Sequence, residues 1–417
     1  MPDRSILIVF EHERLRIGER AFTERHWKLL SSWAERQDER YLEVWGDSVR
    51  FLQWVGVLEV EDLVIEVLPK VELDRSEESH DDSSLKWRRI LLSLLEASGY
   101  FDLHAGDLAR IKLQNHTLLD ILFEHYLDSV DGLLKEGLVK RYRSVSKNRE
   151  AIKGRINHSD NLRRNMCHAE RISTVASEYD RFNLPNRILK SAVDATARFA
   201  PTFYTRSFAR SVAFEFPDWP ADRIRPEDFD RVRIDNKSRR YEQPLGLAKL
   251  ILSRQNPDLA AGSCRVFSLL FDMNVLWEAA IFARLRKECN TLPGSRVKAQ
   301  RTKVFWESSE VIRKTVRADI IVESSSGKRT ILDTKWKVMT SSKPADDDLK
   351  QIFVYDTLWA AEDGFLIYPR LDGRVIESGR YVVKVDGLER RCGILFADVD
   401  PMLWPGSRLM DLVEATL

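Results

Sequence analysis

Asp333 and Lys335 stand two residues apart in the run Ile-Leu-Asp-Thr-Lys-Trp-Lys from Ile331 to Lys337, and Asp319 lies in a second run, Arg-Ala-Asp-Ile-Ile-Val, from Arg317 to Val322. A Ser/Gly-rich stretch, Ser324 to Gly327, separates them. Read as two strands joined by a turn, the pattern presents Asp333 and Lys335 on one face, with Leu332, Thr334 and Trp336 on the other. A carboxylate and an ammonium then emerge together. Asp319 brings a second carboxylate, and two close carboxylates repel unless a divalent cation lies between them. The chemistry this predicts is a magnesium site with a lysine beside it. An isolated Asp-x-Lys on a strand is more often a solvent-facing hairpin, so the elements around it must decide.

Those elements are patterned as a mixed α/β domain over residues 264–417. A helix is expected from Phe271 to Lys287, with Phe271, Val275, Ala279, Phe282 and Ala283 as its apolar stripe and Glu278 at the stripe's edge. Strands near Val297 and at Val304 to Trp306 precede the hairpin. A second helix, Asp347 to Ala361, follows it and carries Gln351 and Tyr355, which stack because they are four apart. Apolar strands at Gly364 to Tyr368, Tyr381 to Val385 and Gly393 to Ala397 complete the pattern.

Upstream, residues 1–75 read as a β-rich domain: strands at Ile6 to Phe10, Leu42 to Trp45, Val49 to Leu58 and Leu63 to Leu68 surround one helix, Glu24 to Arg36. The acidic, polar segment Ser76 to Ser84 is expected to be a solvated linker. Residues 85–255 form a mainly helical middle region, with a further boundary at Asn256 to Ser263. Within it lies a basic tract that includes Lys140, Arg141, Arg143, Arg149, Lys153 and Arg155. Such a density fits either an anionic partner or a solvated basic loop.

Composition narrows the choices. With 66 Lys+Arg against 65 Asp+Glu, the net charge of +1 gives no global attraction to nucleic acid or membrane, so any such affinity must be local. The four cysteines, Cys167, Cys264, Cys289 and Cys392, form no C-x-x-C pair, which argues against a zinc module and a disulfide framework. No apolar run has the length of a signal core or a membrane span, so a cytoplasmic protein is expected. All eight histidines precede residue 169, which excludes histidine-metal or Ser-His-Asp chemistry from the C-terminal part. The absence of a G-x-x-x-x-G-K-[ST] loop argues against nucleotide hydrolysis by the chain itself.

The order helix, strand, hairpin, helix, strand, with Glu278, Asp319, Asp333-Thr-Lys335, Gln351 and Tyr355 at those positions, resembles the PD-(D/E)XK nuclease core, Ala318 standing at the motif's proline. Gln351 and Tyr355 resemble the Q-x-x-x-Y element of its RecB-like members. The wider chain resembles the McrC family, the nuclease subunits of McrBC-type modification-dependent restriction systems. The residues that carry this are Tyr41 to Leu58, Ile65 to Val71, Gly137 to Tyr142, Lys153 to Ile156, Glu178 to Asp180, Asn186 to Lys190, Tyr241 to Leu252, Phe271 to Asn274 and Trp277-Glu278.

The resemblance implies an α+β N-terminal part and helical middle region followed by an α/β nuclease domain with a mixed central sheet. It further implies Mg2+, with Mn2+ able to substitute, held by Asp319, Asp333 and Glu278. The implied partners are double-stranded DNA and a McrB-like AAA+ GTPase ring, with two complexes pairing for double-strand cutting. In that scheme the N-terminal domain docks on the motor, and the basic tract touches DNA or stimulates the motor's hydrolysis. Two other readings are a non-catalytic regulator or DNA clamp on an AAA+ motor, and a free-standing repair nuclease. The clamp has no need of a lysine between carboxylates.

Overall fold

The computed structural model describes residues 4–38, 40–70, 80–100, 117–168, 170–219, 224–253, 266–308, 313–337, 343–370, 379–382, 390–406 and 409–410. The chain divides into two compact units, one spanning Leu119–Pro257, the other joining Arg4–Leu118 to Asp258–Leu417. This differs from three consecutive segments, because a strand from the C-terminal part completes the N-terminal sheet.

In the discontinuous unit, β1 (Ser5–Phe10), β2 (Arg14–Arg16), α1 (Glu24–Arg36), β3 (Leu42–Trp45), β4 (Ser48–Phe51), β5 (Trp54–Val60) and β6 (Leu63–Leu68) come first. The expected single strand Val49 to Leu58 is thus two, and each pairs in a different sheet: β4 with β2 and β3, β5 with β6. Both β5 and β6 are buried along their whole length, which is why their sequences are almost continuously apolar rather than alternating. Helix α1 begins where expected, capped by the Thr23 side chain accepting from the His26 N–H.

Helix α2 (His80–Ala97) starts inside the segment expected to be a linker, whose residues 76–79 lie outside the described chain. Polar residues and acids there suit the positive end of a helix. Arg88 on α2 makes a two-pronged ion pair with Glu66 of β6, at 2.7 and 2.6 Å, and both side chains are buried.

The other unit contains α3 (Leu118–Glu136, from Leu119 on), β7 (Arg141–Arg149), β8 (Arg155–Ile156), α4 (His158–Arg164), β9 (Ile172–Asp180), α5 (Leu184–Phe199), α6 (Phe203–Glu215), α7 (Pro226–Asp230) and α8 (Glu242–Ser253). Helices dominate, but the basic tract is not a loop: β7, β9 and β8 form a three-stranded antiparallel sheet. Gly154 closes the turn before β8 at φ +79°, where a Cβ would sit 2.4 Å from the Val175 carbonyl oxygen. The boundary expected at Asn256 to Ser263 lies outside the described residues.

The discontinuous unit resumes with β10 (Val266–Asp272), which pairs antiparallel with β5 and gives the sheet order β1-β6-β5-β10. Gly56 of β5 permits this approach, since a Cβ there would lie 2.1 Å from the Leu269 carbonyl oxygen. Next come α9 (Met273–Cys289), β11 (Arg296–Glu307), β12 (Arg313–Glu323), β13 (Arg329–Thr334), α10 (Asp346–Trp359), β14 (Asp363–Arg370), β15 (Gly379–Arg380) and β16 (Arg391–Asp398). These strands form a six-stranded mixed sheet in the order β11-β12-β13-β14-β16-β15, parallel from β13 through β16 and antiparallel elsewhere. The expected α/β class with a mixed central sheet is the observed one. Of the strand expected at Tyr381 to Val385, residues 383–385 lie outside the described chain, and β15 ends at Arg380.

One stripe differs from expectation. Phe271 belongs to β10, and the buried face of α9 is Met273, Leu276, Trp277, Ala280, Ile281 and Leu285, while Val275 is 46 % exposed. Asp272 caps the helix and sets its start two residues later, and packing against the core rather than the longest apolar spacing selects the inward side.

Candidate active site

Strands β12 and β13 are antiparallel with Ile320 opposite Leu332, a register that puts Asp319 opposite Asp333. Asp333 is fully buried and its Oδ1 has no hydrogen-bond partner. Lys335 Nζ lies 2.7 Å from its Oδ2, off the line of a well-formed hydrogen bond. Burial, reinforced by the negative charge of Asp319, lifts the Asp333 carboxyl to about 7. Burial also raises Asp319 above the ordinary range, against the opposing pull of the Thr334 N–H and Lys335. Thr334, expected on the opposite face, reaches Asp319 Oδ2 through its N–H at 3.0 Å and its hydroxyl at 3.3 Å, because the strand ends there.

Lys335 is held from several sides. Its ammonium donates to Gln351 Oε1 at 2.9 Å, and Gln351 Nε2 donates to the Tyr355 hydroxyl oxygen at 2.7 Å. The two residues four apart on α10 thus form a relay that ends on the lysine. Burial opposes the ammonium's charge, but Asp333, Asp348 and Asp319 outweigh it, so Lys335 stays cationic above its ordinary range.

Glu278, on α9, is half-buried and raised to about 7, first by burial and then by the charge of Asp319; a hydrogen bond with Gln300 and the nearby Arg317 pull the other way. Three carboxylates therefore share one neighbourhood, each costly to ionise. Among the described residues, no three His, Cys, Asp or Glu side chains are gathered tightly enough to enclose an ion alone. A hard cation that keeps several waters needs only one or two carboxylates from the protein. The orphaned Oδ1 of Asp333 and the oxygen-only donor set fit such an ion.

Several neighbours were not anticipated. Asp348, in the acidic first turn of α10, lies 2.6 Å from Lys337 Nζ and 3.7 Å from Lys335 Nζ, and it accepts from the Tyr368 hydroxyl at 2.9 Å. Its signal was the Asp346-Asp347-Asp348 triplet, which marks a helix start more readily than a site. Gln300 stands opposite Asp319 in the β11–β12 ladder at φ +50°, a conformation no sequence rule assigns to glutamine. Trp336 packs against Trp277 with ring centroids 5.4 Å apart and donates to Glu11 Oε1 at 2.8 Å, anchoring the hairpin end to the N-terminal strands.

The basic tract lies in the other unit, away from these groups in the sequence. Arg143 pairs with Asp180 at 2.8 Å, and Arg149 with Glu178 at 2.7 Å, while Arg141 donates to the Arg233 carbonyl at 2.6 Å. Lys140, Lys153 and Arg155 are exposed and have no ion-pair partner among the described residues. A cleft of about 590 Å³ there is lined by Lys140, Arg143, Tyr179, Phe182 and Trp219. It holds one carboxylate, Asp180, already paired with Arg143, so it offers no counterpart to the Asp319–Asp333 arrangement.

Residues 49–369 match the model of the McrBC 5-methylcytosine restriction system component. The chain belongs to that family. In this family member the match takes in both the basic sheet and the carboxylate hairpin. The fold is similar to a chain of the half-complex from the tetradecameric assembly of Thermococcus gammatolerans McrB AAA+ hexamers with bound McrC, at 18% identity over 95% of this chain and 96% of that one, TM-score 0.68. It is also similar to a chain of the T. gammatolerans McrBC complex, at 19% identity over 67% of this chain and 87% of that one, TM-score 0.51. Among curated proteins none matches significantly. Among the described residues no helix is long and apolar enough to cross a membrane.

Proposed function

We propose that the family member is the DNA-cutting subunit of a McrBC-type restriction system, a magnesium-dependent endonuclease that works with an McrB-like AAA+ GTPase ring. The observation that carries this reading is the buried Asp333, opposite Asp319 and 2.7 Å from Lys335, with one carboxylate oxygen left unpartnered. Asp356 and Asp363 also bury carboxylate oxygens without a hydrogen bond, so the weight falls on the meeting of Asp333 with Asp319 and Lys335.

Asp319 and Asp333, with Glu278 directly or through water, would hold Mg2+ or Mn2+. When bound, the ion offsets phosphate charge and lowers the pKa of its water. The chain's own contribution is position and charge. Lys335, kept protonated by the acids around it and fixed by the Gln351–Tyr355 relay, stabilises the charge that develops as a phosphodiester is attacked, and it orients the attacking water. Thr334 holds the Asp319 carboxylate in place through two donors.

The chain lacks a phosphate loop, which supports a division of labour with a separate motor. The related structures contain McrB hexamers, which supports that partner. The test is to mix the purified chain with the product of an adjacent AAA+ gene and measure cleavage of methylated and unmethylated DNA, with each nucleotide and with or without Mg2+. Metal- and motor-dependent cutting that disappears in Asp333→Ala and Lys335→Ala is the expected result. Cutting that persists in both variants would overturn the site assignment. Nucleotide hydrolysis stimulated without cleavage at any divalent metal would favour the regulator reading.

A further inference from the structure

The strand that carries Asp319 continues beyond the sheet. β12 pairs with β13 only from Ile320 to Glu323, whereas its pairing with β11 runs from Arg313 to Glu323. Residues 301–307 and 313–317 therefore form a two-stranded ribbon projecting from the edge of the candidate active site. Every residue from Arg301 to Glu307 is exposed, as are Arg313, Lys314, Thr315 and Arg317. The ladder slips between Val304 and Trp306, which makes a bulge at Phe305. Phe305 and Trp306, 53 % and 49 % exposed, are displayed at that bulge.

The charge is one-sided. Arg301, Lys303, Lys314 and Arg317 project along the ribbon, and among its described residues the one carboxylate beyond Asp319, Glu307, is taken by Arg313 at 3.3 Å. Lys303 is tied to the Leu358 carbonyl at 2.7 Å. Arg301 and Lys314 have no ion-pair partner among the described residues. Long, exposed edge ribbons invite pairing with other chains unless they are covered, and charge is the usual safeguard. Charges this concentrated, with two aromatic rings between them, do more than discourage association: they match a polyanion that offers flat apolar surfaces.

We propose that this ribbon is a duplex-DNA arm that lies in a groove and sets the scissile phosphate over Asp319 and Asp333. The inference rests on the nuclease reading for its substrate. Six intervals at about 3.4 Å make β11 from Arg301 to Glu307 about 20 Å long, and a major groove about 12 Å wide admits a two-stranded ribbon. Arg317 lies two residues from Asp319 and Lys314 five, or about 7 and 17 Å along the strand, within about five base pairs of the site. A second copy of the chain is the other occupant to consider, and a symmetric contact would bring these cations against their own equivalents.

The test uses the full chain, a labelled 20-base-pair duplex and Ca2+ in place of Mg2+, with binding followed by fluorescence anisotropy across a salt series. Arg301→Ala/Lys314→Ala is expected to weaken binding by more than about tenfold and to reduce the log-affinity against log-salt slope by about 2. Trp306→Ala should weaken binding without changing the slope. The Mn2+-induced rise in Tm and the mass in solution should stay as in wild type, which shows an intact fold and site. Unchanged affinity and slope in the double variant would overturn the arm, and a fall in mass with unchanged affinity would make the ribbon a contact between copies. Absence of a Mn2+ shift in the wild-type chain would instead count against the metal site, and the salt series would still decide the arm.

Discussion

The carboxylate hairpin and the three-stranded basic sheet are both dense in charge, and they treat it in opposite ways. In the basic sheet, Glu178 sits between Lys147 at 2.9 Å and Arg149 at 2.7 Å, and those hydrogen bonds hold its carboxyl below the ordinary range. At the hairpin, Asp333 and the neighbouring Glu278 of α9 are lifted to about 7 because burial and neighbouring acids outweigh the cations. Charge that is matched on site is structural, and it costs the fold little. Burial also lifts Asp356, to about 8, so it is the meeting of Asp333, Asp319 and Glu278 around Lys335 that suits completion by something from outside. That contrast, rather than the count of charged residues, separates the candidate active site from the tract.

Removing the unmatched charge should have the largest effect. Asp333→Ala or Lys335→Ala should lower the metal-dependent cleavage rate by at least about 10³-fold, the scale of several kcal/mol of lost transition-state stabilisation, as read in single-turnover assays with the motor present. A rate within tenfold of wild type would erase the contrast.

Next in size is the buried pair that is matched. Glu66→Ala leaves Arg88 charged in the interior and should cost about 3–5 kcal/mol of stability by urea denaturation. Smaller loss would mean that the arginine finds water.

The pH dependence sharpens the comparison. Asp333 and Asp356 both have folded pKa values above their ordinary 3.8, at about 7 and about 8, and burial is the main cause. The folded, metal-free protein then holds those protons more tightly than the unfolded chain does. Stability contributed by the neutral forms is complete below about pH 4 and lost as pH rises towards 8. Asp356→Asn should flatten that fall and raise Tm at pH 8 by a few degrees. Mg2+ should raise wild-type Tm more at pH 8 than at pH 6, and this gain should vanish in Asp333→Asn. A metal effect independent of pH would separate the ion from these carboxylates.

The smallest effect belongs to the matched, half-buried pair of the basic sheet. Arg143→Ala breaks the contact with Asp180 and should change stability by less than about 1 kcal/mol, as measured by the same denaturation.

The sequence showed the site's chemistry better than its surroundings. Period-two placement put Asp333 and Lys335 together, and four-residue spacing put Gln351 next to Tyr355, because both depend only on local geometry. The Glu24–Arg36 helix was legible for the same reason, with Thr23 in front of it as a cap. What was hidden depends on contacts distant in sequence. The β10 strand pairs with β5 about 200 residues earlier, so Phe271 reads as helix until its partner is known. The Thr334 contacts with Asp319 arise where a strand ends, and the left-handed Gln300 has no local signature. The inward side of β7 is Arg141, Arg143 and Arg149 around a single buried apolar residue, Val145, so there is no apolar alternation to read.

The most direct test is where a divalent ion sits. Crystals of the chain soaked at pH 8 in millimolar Mn2+ should show an anomalous peak between Asp319 and Asp333, about 2.0 to 2.3 Å from an oxygen of each, and no peak there in Asp333→Asn. Manganese bound elsewhere, or an empty hairpin with both carboxylates ionised, would contradict the account.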